Sequence, residues 1–234
     1  MSADRVEVWW LDVDGVGADQ WAELTAVLDA SEQARAARFH FDRDRQTYIA
    51  AHALGRRLLS AWAGGDPASW RFTIGDHGKP EVISPANGPC LRLNLSHTRG
   101  LAAAVLTEEC DVGVDVEWLG RDPDCLGLGR RFFAAAECAV LEAAPPQRLA
   151  HTFLSFWTLK EAYIKAIGKG LAQPLDSFAF TLEPLSIAFT DTLADDPAHW
   201  RFHQAQPNDQ HLLALALRHP HPDRVQVELR AMDF

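Results

Sequence analysis

Two carboxylates alternate with valines in Gly113-Val114-Asp115-Val116-Glu117. In an extended strand successive side chains point to opposite faces, so Val114 and Val116 can face a core while Asp115 and Glu117 project together. Acids at that spacing can share a hard divalent cation such as Mg2+, which takes a few carboxylates and fills its shell with water and phosphate oxygens. An ordinary half-exposed strand with solvated acids carries the same pattern. A second cluster is Phe156-Trp157-Thr158-Leu159-Lys160-Glu161-Ala162-Tyr163-Ile164-Lys165. Helical periodicity stacks Trp157, Glu161 and Lys165 on one face. A Glu-to-Lys pair one turn apart contributes only ~0.2–0.5 kcal/mol by itself. Here the face also carries Trp157 and adjoins Phe153, Ile164 and Ile167. Gly168 or Gly170 would end the helix.

Two weaker clusters are Asn94-Leu95-Ser96-His97 and the turn Gly75-Asp76-His77-Gly78-Lys79-Pro80. Adjacent Ser96 and His97 make no hydrolase dyad, because strand neighbours face opposite ways. G-x-S-x-G, Walker A, G-x-G-x-x-G and H-E-x-x-H patterns are absent, which removes the main warrant for hydrolase, P-loop, Rossmann and zincin readings. His219-Pro220-His221 reads as a turn near the C-terminus rather than a metal site.

The elements that must position these residues follow from periodicity and turn signals. Strand alternation covers Val6–Asp12, and helices are expected at Asp19–Ala30 and Asp42–Ala63, the second ending at Gly64-Gly65. Short strands follow at Arg71–Ile74, Leu91–Leu95, Leu101–Thr107 and Val112–Val116, with Gly75–Pro80 and Ser84–Pro89 as turns. Helices return at Ala135–Glu142 and Arg148–Ile167, and four short strands are expected from Phe178 onward. The order strand, helices, strands occurs twice, and Arg38-Phe39 and Arg131-Phe132 sit at similar places in each half. This predicts an α+β fold of two related lobes in one chain, residues 1–110 and 111–234.

The chain has 234 residues, enough to bury a core without disulfide or metal staples. Four scattered cysteines (90, 110, 125 and 138) form no C-x-x-C pair, so neither structural zinc nor a disulfide framework is expected. Asp4, Arg5 and Glu7 stand where a secretory signal needs an apolar run, and a reduced cytoplasm is the expected setting. The aliphatic runs Leu101–Leu106 and Leu212–Leu217 are far shorter than the ~20 residues of a membrane span. A net charge of −10 argues against a surface devoted to nucleic acid or an anionic membrane. That charge is unevenly spread: residues 35–57 hold six Arg against two acids, and three of the four lysines fall within residues 160–169.

Taken in order, Gly78-Lys79-Pro80, Asn94-Leu95-Ser96-His97, Gly113-Val114-Asp115-Val116-Glu117 and Trp157-x-x-Lys160-Glu161-Ala162-x-x-Lys165 resemble the Sfp-type 4′-phosphopantetheinyl transferases. Flanking matches are Arg38-Phe39, Arg131-Phe132-Phe133 with Glu137, and Gly168-Lys169-Gly170-Leu171 with Pro174-Leu175. The resemblance implies two pseudo-symmetric α+β lobes with coenzyme A in the cleft between them. It implies transfer of the 4′-phosphopantetheine arm of coenzyme A to a serine of an apo acyl or peptidyl carrier protein, releasing adenosine 3′,5′-bisphosphate. A monomer is expected, with no nucleic-acid or membrane partner. In family terms Asp115, Glu117 and Glu161 would hold Mg2+ against the pyrophosphate. Carboxylates within ~5 Å of one another repel by roughly 3 kcal/mol per pair at an effective dielectric near 20, which is a reason for a cation there. Glu161 would take the serine proton, directly or through a metal-bound water, Lys165 would neutralise phosphoryl oxygens, and Lys160 would lie near the phosphates. Arg35, Arg38, Arg43, Lys79, Pro80, Ser96 and His97 resemble contacts to the phosphoadenosine end, with His97 facing the 3′-phosphate. Thr47 stands where many relatives carry Arg.

Overall fold

A computed structural model describes residues 5–75, 80–83, 90–108 and 110–234. The expected turns at Gly75–Pro80 and Ser84–Pro89 lie mostly outside the described residues.

The first lobe opens with β1 (Arg5–Asp12), followed by α1 (Ala18–Ala26), α2 (Ala30–Ala36) and the long α3 (Asp42–Ala63). A short hairpin of β2 (Phe72–Ile74) and β3 (Pro80–Val82) leads to β4 (Leu91–Thr98) and β5 (Leu101–Glu108). The second lobe repeats that order. It runs through β6 (Asp111–Trp118), α4 (Cys125–Phe132), α5 (Ala135–Ala143), α6 (Pro146–Ala166), and the hairpin of β7 (Phe178–Leu182) and β8 (Leu185–Phe189). It ends with β9 (Trp200–Asn208) and β10 (His211–Arg218). Three strands of one sheet run β1-β5-β4 and those of the other β6-β10-β9, each set antiparallel, so the lobes share a topology as well as an element order.

The helix expected at Asp19–Ala30 ends at Ala26, and a second helix, α2, begins at Ala30. Asp29 caps α2, accepting from the backbone N–H groups of Ser31 and Glu32, while Glu32 returns a bond to the Asp29 N–H. This reciprocal capping box starts α2 after α1 has ended at Ala26. Residues after Phe178 form five strands rather than four. The extra one, β11 (Gln226–Ala231), leaves the second lobe and pairs in parallel with β1, from Arg5 opposite Gln226 to Trp10 opposite Ala231. The last strand therefore belongs to the sheet that begins with β1.

Central strands β5 and β10 are buried on both faces, which is where the two aliphatic runs of the sequence go. Odd-numbered residues of β5 (Leu101, Ala103, Val105) join Val112, Val114 and Val116 of β6 and Leu213, Leu215 and Leu217 of β10 in one core between the sheets. Even-numbered neighbours pack outward, Ala102, Ala104 and Leu106 against α3, and Leu212, Ala214 and Ala216 against α6. Strand alternation thus builds four layers, helices outside and two sheets back to back within. Among the described residues no helix is long and apolar enough to cross a membrane.

Candidate active site

β6 places Val112, Val114 and Val116 in the core between the sheets, so Asp115 and Glu117 must face α6. The helix crosses this strand at Gly113. A Cβ added there would lie 2.1 Å from the Ala162 carbonyl oxygen and 2.5 Å from the Ala166 nitrogen. Only a glycine allows backbone contact that close, and it brings the Glu161–Lys165 face of α6 alongside Asp115. Lys165 Nζ donates to Asp115 Oδ1 at 2.7 Å, Ser96 Oγ at 2.9 Å and the Val114 carbonyl at 3.2 Å. Ser96 in turn donates to Asp115 Oδ1 at 3.0 Å.

The first lobe reaches this site through side chains. Asn94 Oδ1 accepts from the Val114 N–H at 2.9 Å, and Ser96 Oγ accepts from the Val116 N–H at 3.3 Å. These bonds satisfy β6 backbone donors along the edge facing β4, where no strand ladder joins the two sheets. Ser96 is a buried brace between Asp115, Lys165 and β6.

Glu117 and Glu161 lie close enough to Asp115 for its charge to oppose their ionisation. Glu161 is pushed up to about 7, first by burial and then by repulsion from Asp115 and Glu117, with Lys165 pulling the other way. Glu117 is also raised by burial and by Asp115, against the Arg121 bond that favours its charge. Arg121 Nη1 donates to Glu117 Oε2 at 2.6 Å. Asp115 Oδ2 is buried and has no hydrogen-bond partner among the described residues. An all-oxygen donor set with an orphaned carboxylate oxygen fits Mg2+ or Mn2+. Among the described residues no three such side chains are drawn together tightly enough to hold a metal alone. A cation there would complete its shell with water or phosphate oxygens.

Two hollows lie on the first lobe. The exposed His97 ring and Arg35 open onto a cleft of about 430 Å³ lined also by Tyr48, His52, Phe72 and Leu95. Surrounding protein, then His52, Lys165 and Arg35 nearby, hold His97 well below its usual pKa, with Asp44 opposing, so the ring is neutral at pH 7. A wider depression of about 720 Å³ adjoins Arg35 and Arg38. Arg43 sits in the first turn of α3, 3.5 Å from Asp44, and is not among the residues lining either hollow. Thr47 is buried, its hydroxyl donating to the Arg43 and Asp44 carbonyls. Lys79 lies outside the described residues, as does the side chain of Pro80, whose backbone opens β3.

Lys160 requires a correction. It was expected near the phosphates, but its side chain is fully buried on the opposite side of α6 from the pocket. Nζ bonds Glu137 Oε2 at 2.8 Å and the Leu175 and Phe178 carbonyls at 2.7 and 2.8 Å. With its three N–H groups so engaged, the ammonium anchors α6 to α5 and to the start of β7. Sequence reasoning also missed Arg121, Tyr48 and His52, and it named Asn94 in its motif without giving it a role. Asn94 was visible as the same-face partner of Ser96 two places on, whereas Arg121 carried no signal before the loop's path was known.

Residues 111–216 match the profile of the 4′-phosphopantetheinyl transferase superfamily, and residues 17–109 match that of the 4′-phosphopantetheinyl transferase N-terminal region. The chain is 32% identical over 219 residues to the 4′-phosphopantetheinyl transferase HetI of Nostoc sp., covering 92% of this chain and 88% of that one. It is 30% identical to a 4′-phosphopantetheinyl transferase of Bacillus subtilis, with 88% of each chain covered. With Sfp of Bacillus subtilis strain 168 it shares 26% identity over 82% of this chain and 83% of that one. The chain belongs to the 4′-phosphopantetheinyl transferase superfamily and is an enzyme of that type.

Proposed function

We propose that the protein transfers the 4′-phosphopantetheine arm of coenzyme A to a serine of an apo acyl or peptidyl carrier protein in a Mg2+-dependent reaction. The observation that carries this reading is the convergence of Glu161 and Lys165 on Asp115 across the Gly113 crossing, beside a cleft lined by Arg35 and His97. Arg35, Arg38 and His97 supply cationic and hydrogen-bonding groups for the phosphoadenosine end. His97 is neutral in the free protein, and an anion beside it would favour the imidazolium.

Attack at phosphorus needs alignment and charge neutralisation more than covalent help from the protein. Glu161, raised to about 7 in the metal-free chain, would be held ionised by a bound Mg2+ and is suited to accept the carrier serine's proton. Lys165, aimed by Ser96, faces the same carboxylates and can neutralise charge on the phosphoryl oxygens. Asp115, Glu117 and Glu161 would hold a Mg2+ ion, which supplies neutralising charge against the pyrophosphate. Intact-protein mass spectrometry of apo carrier proteins incubated with coenzyme A and Mg2+ tests the reading. One phosphopantetheinyl group gained per carrier is the expected result. Release of free phosphopantetheine without a carrier, or no gain on fatty-acid, polyketide and peptide-synthesis carriers, would overturn it.

A further inference from the structure

Each of the two strand carboxylates already has a cation of its own. Lys165 occupies Asp115 Oδ1, and Arg121 occupies Glu117 Oε2. A divalent ion entering the pocket would compete with both, but the two are held very differently. Lys165 rises from the helix and also serves Ser96 and the Val114 carbonyl. Displacing it would strip a donor from three acceptors. Arg121 stands in the loop between β6 and α4, with 44% of its side chain exposed against 10% for Glu117. Among the described residues its guanidinium has Glu117 as its one polar partner. Its release gives up one ion pair and returns a long, flexible side chain to water.

We propose that Arg121 is a built-in competitor for the metal site, occupying Glu117 in the free enzyme and swinging out when a divalent ion binds. It acts as a specificity-determining residue: it sets how much cation is needed to arm the carboxylates and keeps Glu117 paired until then. The inference rests on the proposed metal-dependent reading of Asp115, Glu117 and Glu161, and it adds a residue that the motifs do not contain.

Mn2+ serves as the probe, its free concentration read by electron paramagnetic resonance while the full chain is titrated without coenzyme A at pH 8. Arg121→Gln is compared with Arg130→Gln, which removes an equal charge from the exposed pair with Glu142. The expected result is a three- to tenfold tighter Mn2+ Kd for Arg121→Gln, equivalent to ~0.7–1.4 kcal/mol, with Arg130→Gln close to the wild type. An unchanged or weaker Kd in Arg121→Gln, with a wild type that binds Mn2+, would overturn the competitor role alone. Equal tightening in both variants would reduce it to long-range charge and also overturn it. A wild type that takes up no Mn2+, in this titration and in one repeated with coenzyme A, would remove the metal reading and this inference together.

Discussion

The two lobes are built on one plan, down to a buried cation. In the second lobe Lys160 of α6 joins Glu137, the third residue of α5, to the Leu175 and Phe178 carbonyls. In the first, Arg56 of α3 joins Glu32, the third residue of α2, to the Pro67 and Trp70 carbonyls. Both cations have no side-chain exposure, and each lies against an aromatic ring of the strand that follows, Phe178 or Phe72. Gly64 and Gly168, both at positive φ, follow the ends of α3 and α6. The lobes part at the next residues. Counting back from the matching antiparallel pairs, Asp12 opposite Leu101 and Trp118 opposite His211, Trp9 and Leu11 occupy the places of Asp115 and Glu117. One lobe spends these positions on a helix-side core and the other on a charged pocket. The helices differ to match: α3 lies mainly over β5 and β4, whereas α6 presses onto β6 through Gly113. A shared clamp holds the frame, and a shift of one helix over its sheet makes the site.

That comparison can be broken at the clamp first. Lys160→Met and Arg56→Met each leave a buried glutamate without its cation, and each is expected to lower unfolding stability by about 3–5 kcal/mol. Urea melts read that loss. Their kinetics should then separate, Lys160→Met lowering kcat because the next residue is Glu161, and Arg56→Met raising the coenzyme A KM because Glu32 and His52 border the cleft. A KM effect alone in Lys160→Met would contradict the assignment. Gly113→Ala comes next: its methyl collides with the α6 backbone, and an overpacking cost of about 1–3 kcal/mol is expected together with lost transfer. Undiminished transfer in Gly113→Ala would show that the close crossing does not position Glu161.

The smallest effect is a pH slope. Glu161 has an ordinary value of 4.5 and is raised to about 7 in the folded chain, so the folded state holds its proton more tightly than the unfolded one. Its contribution to stability is therefore greatest at low pH and declines as pH rises from 4.5 to about 7. Denaturation at pH 5 and pH 8 should show that decline in the wild type and a shallower one in Glu161→Gln. Saturating Mn2+ should flatten it as well. Parallel slopes in wild type and Glu161→Gln would mean that Glu161 is not the strained carboxylate.

Most of the architecture was legible because it rests on local signals. The α3 limits at Asp42 and Ala63 are set by sequence punctuation, the helix stopping before Gly64-Gly65. The alternation in Gly113–Glu117 placed both acids on one face without any tertiary information. What escaped depends on distant pairing. β11 belongs to the first sheet because its partner is β1, more than two hundred residues away in sequence. The Asp19–Ala30 pattern concealed a capping box, and Lys160 read as a phosphate ligand because its motif neighbours face the pocket. Burial is decided by which side of α6 each residue occupies, and Lys160 and Glu161, adjacent in sequence, fall on different sides.

The claim that the chemistry belongs to one lobe is tested most directly by carrier loading in two matched variants. Glu161 and Arg57 each follow the clamp cation of their helix. Intact-mass measurement of an apo carrier protein with coenzyme A and Mg2+ should show loading reduced by about 10²–10⁴ in Glu161→Gln. Arg57→Gln should load at close to the wild-type rate. Full loading by Glu161→Gln, or an equal loss in both variants, would contradict the account.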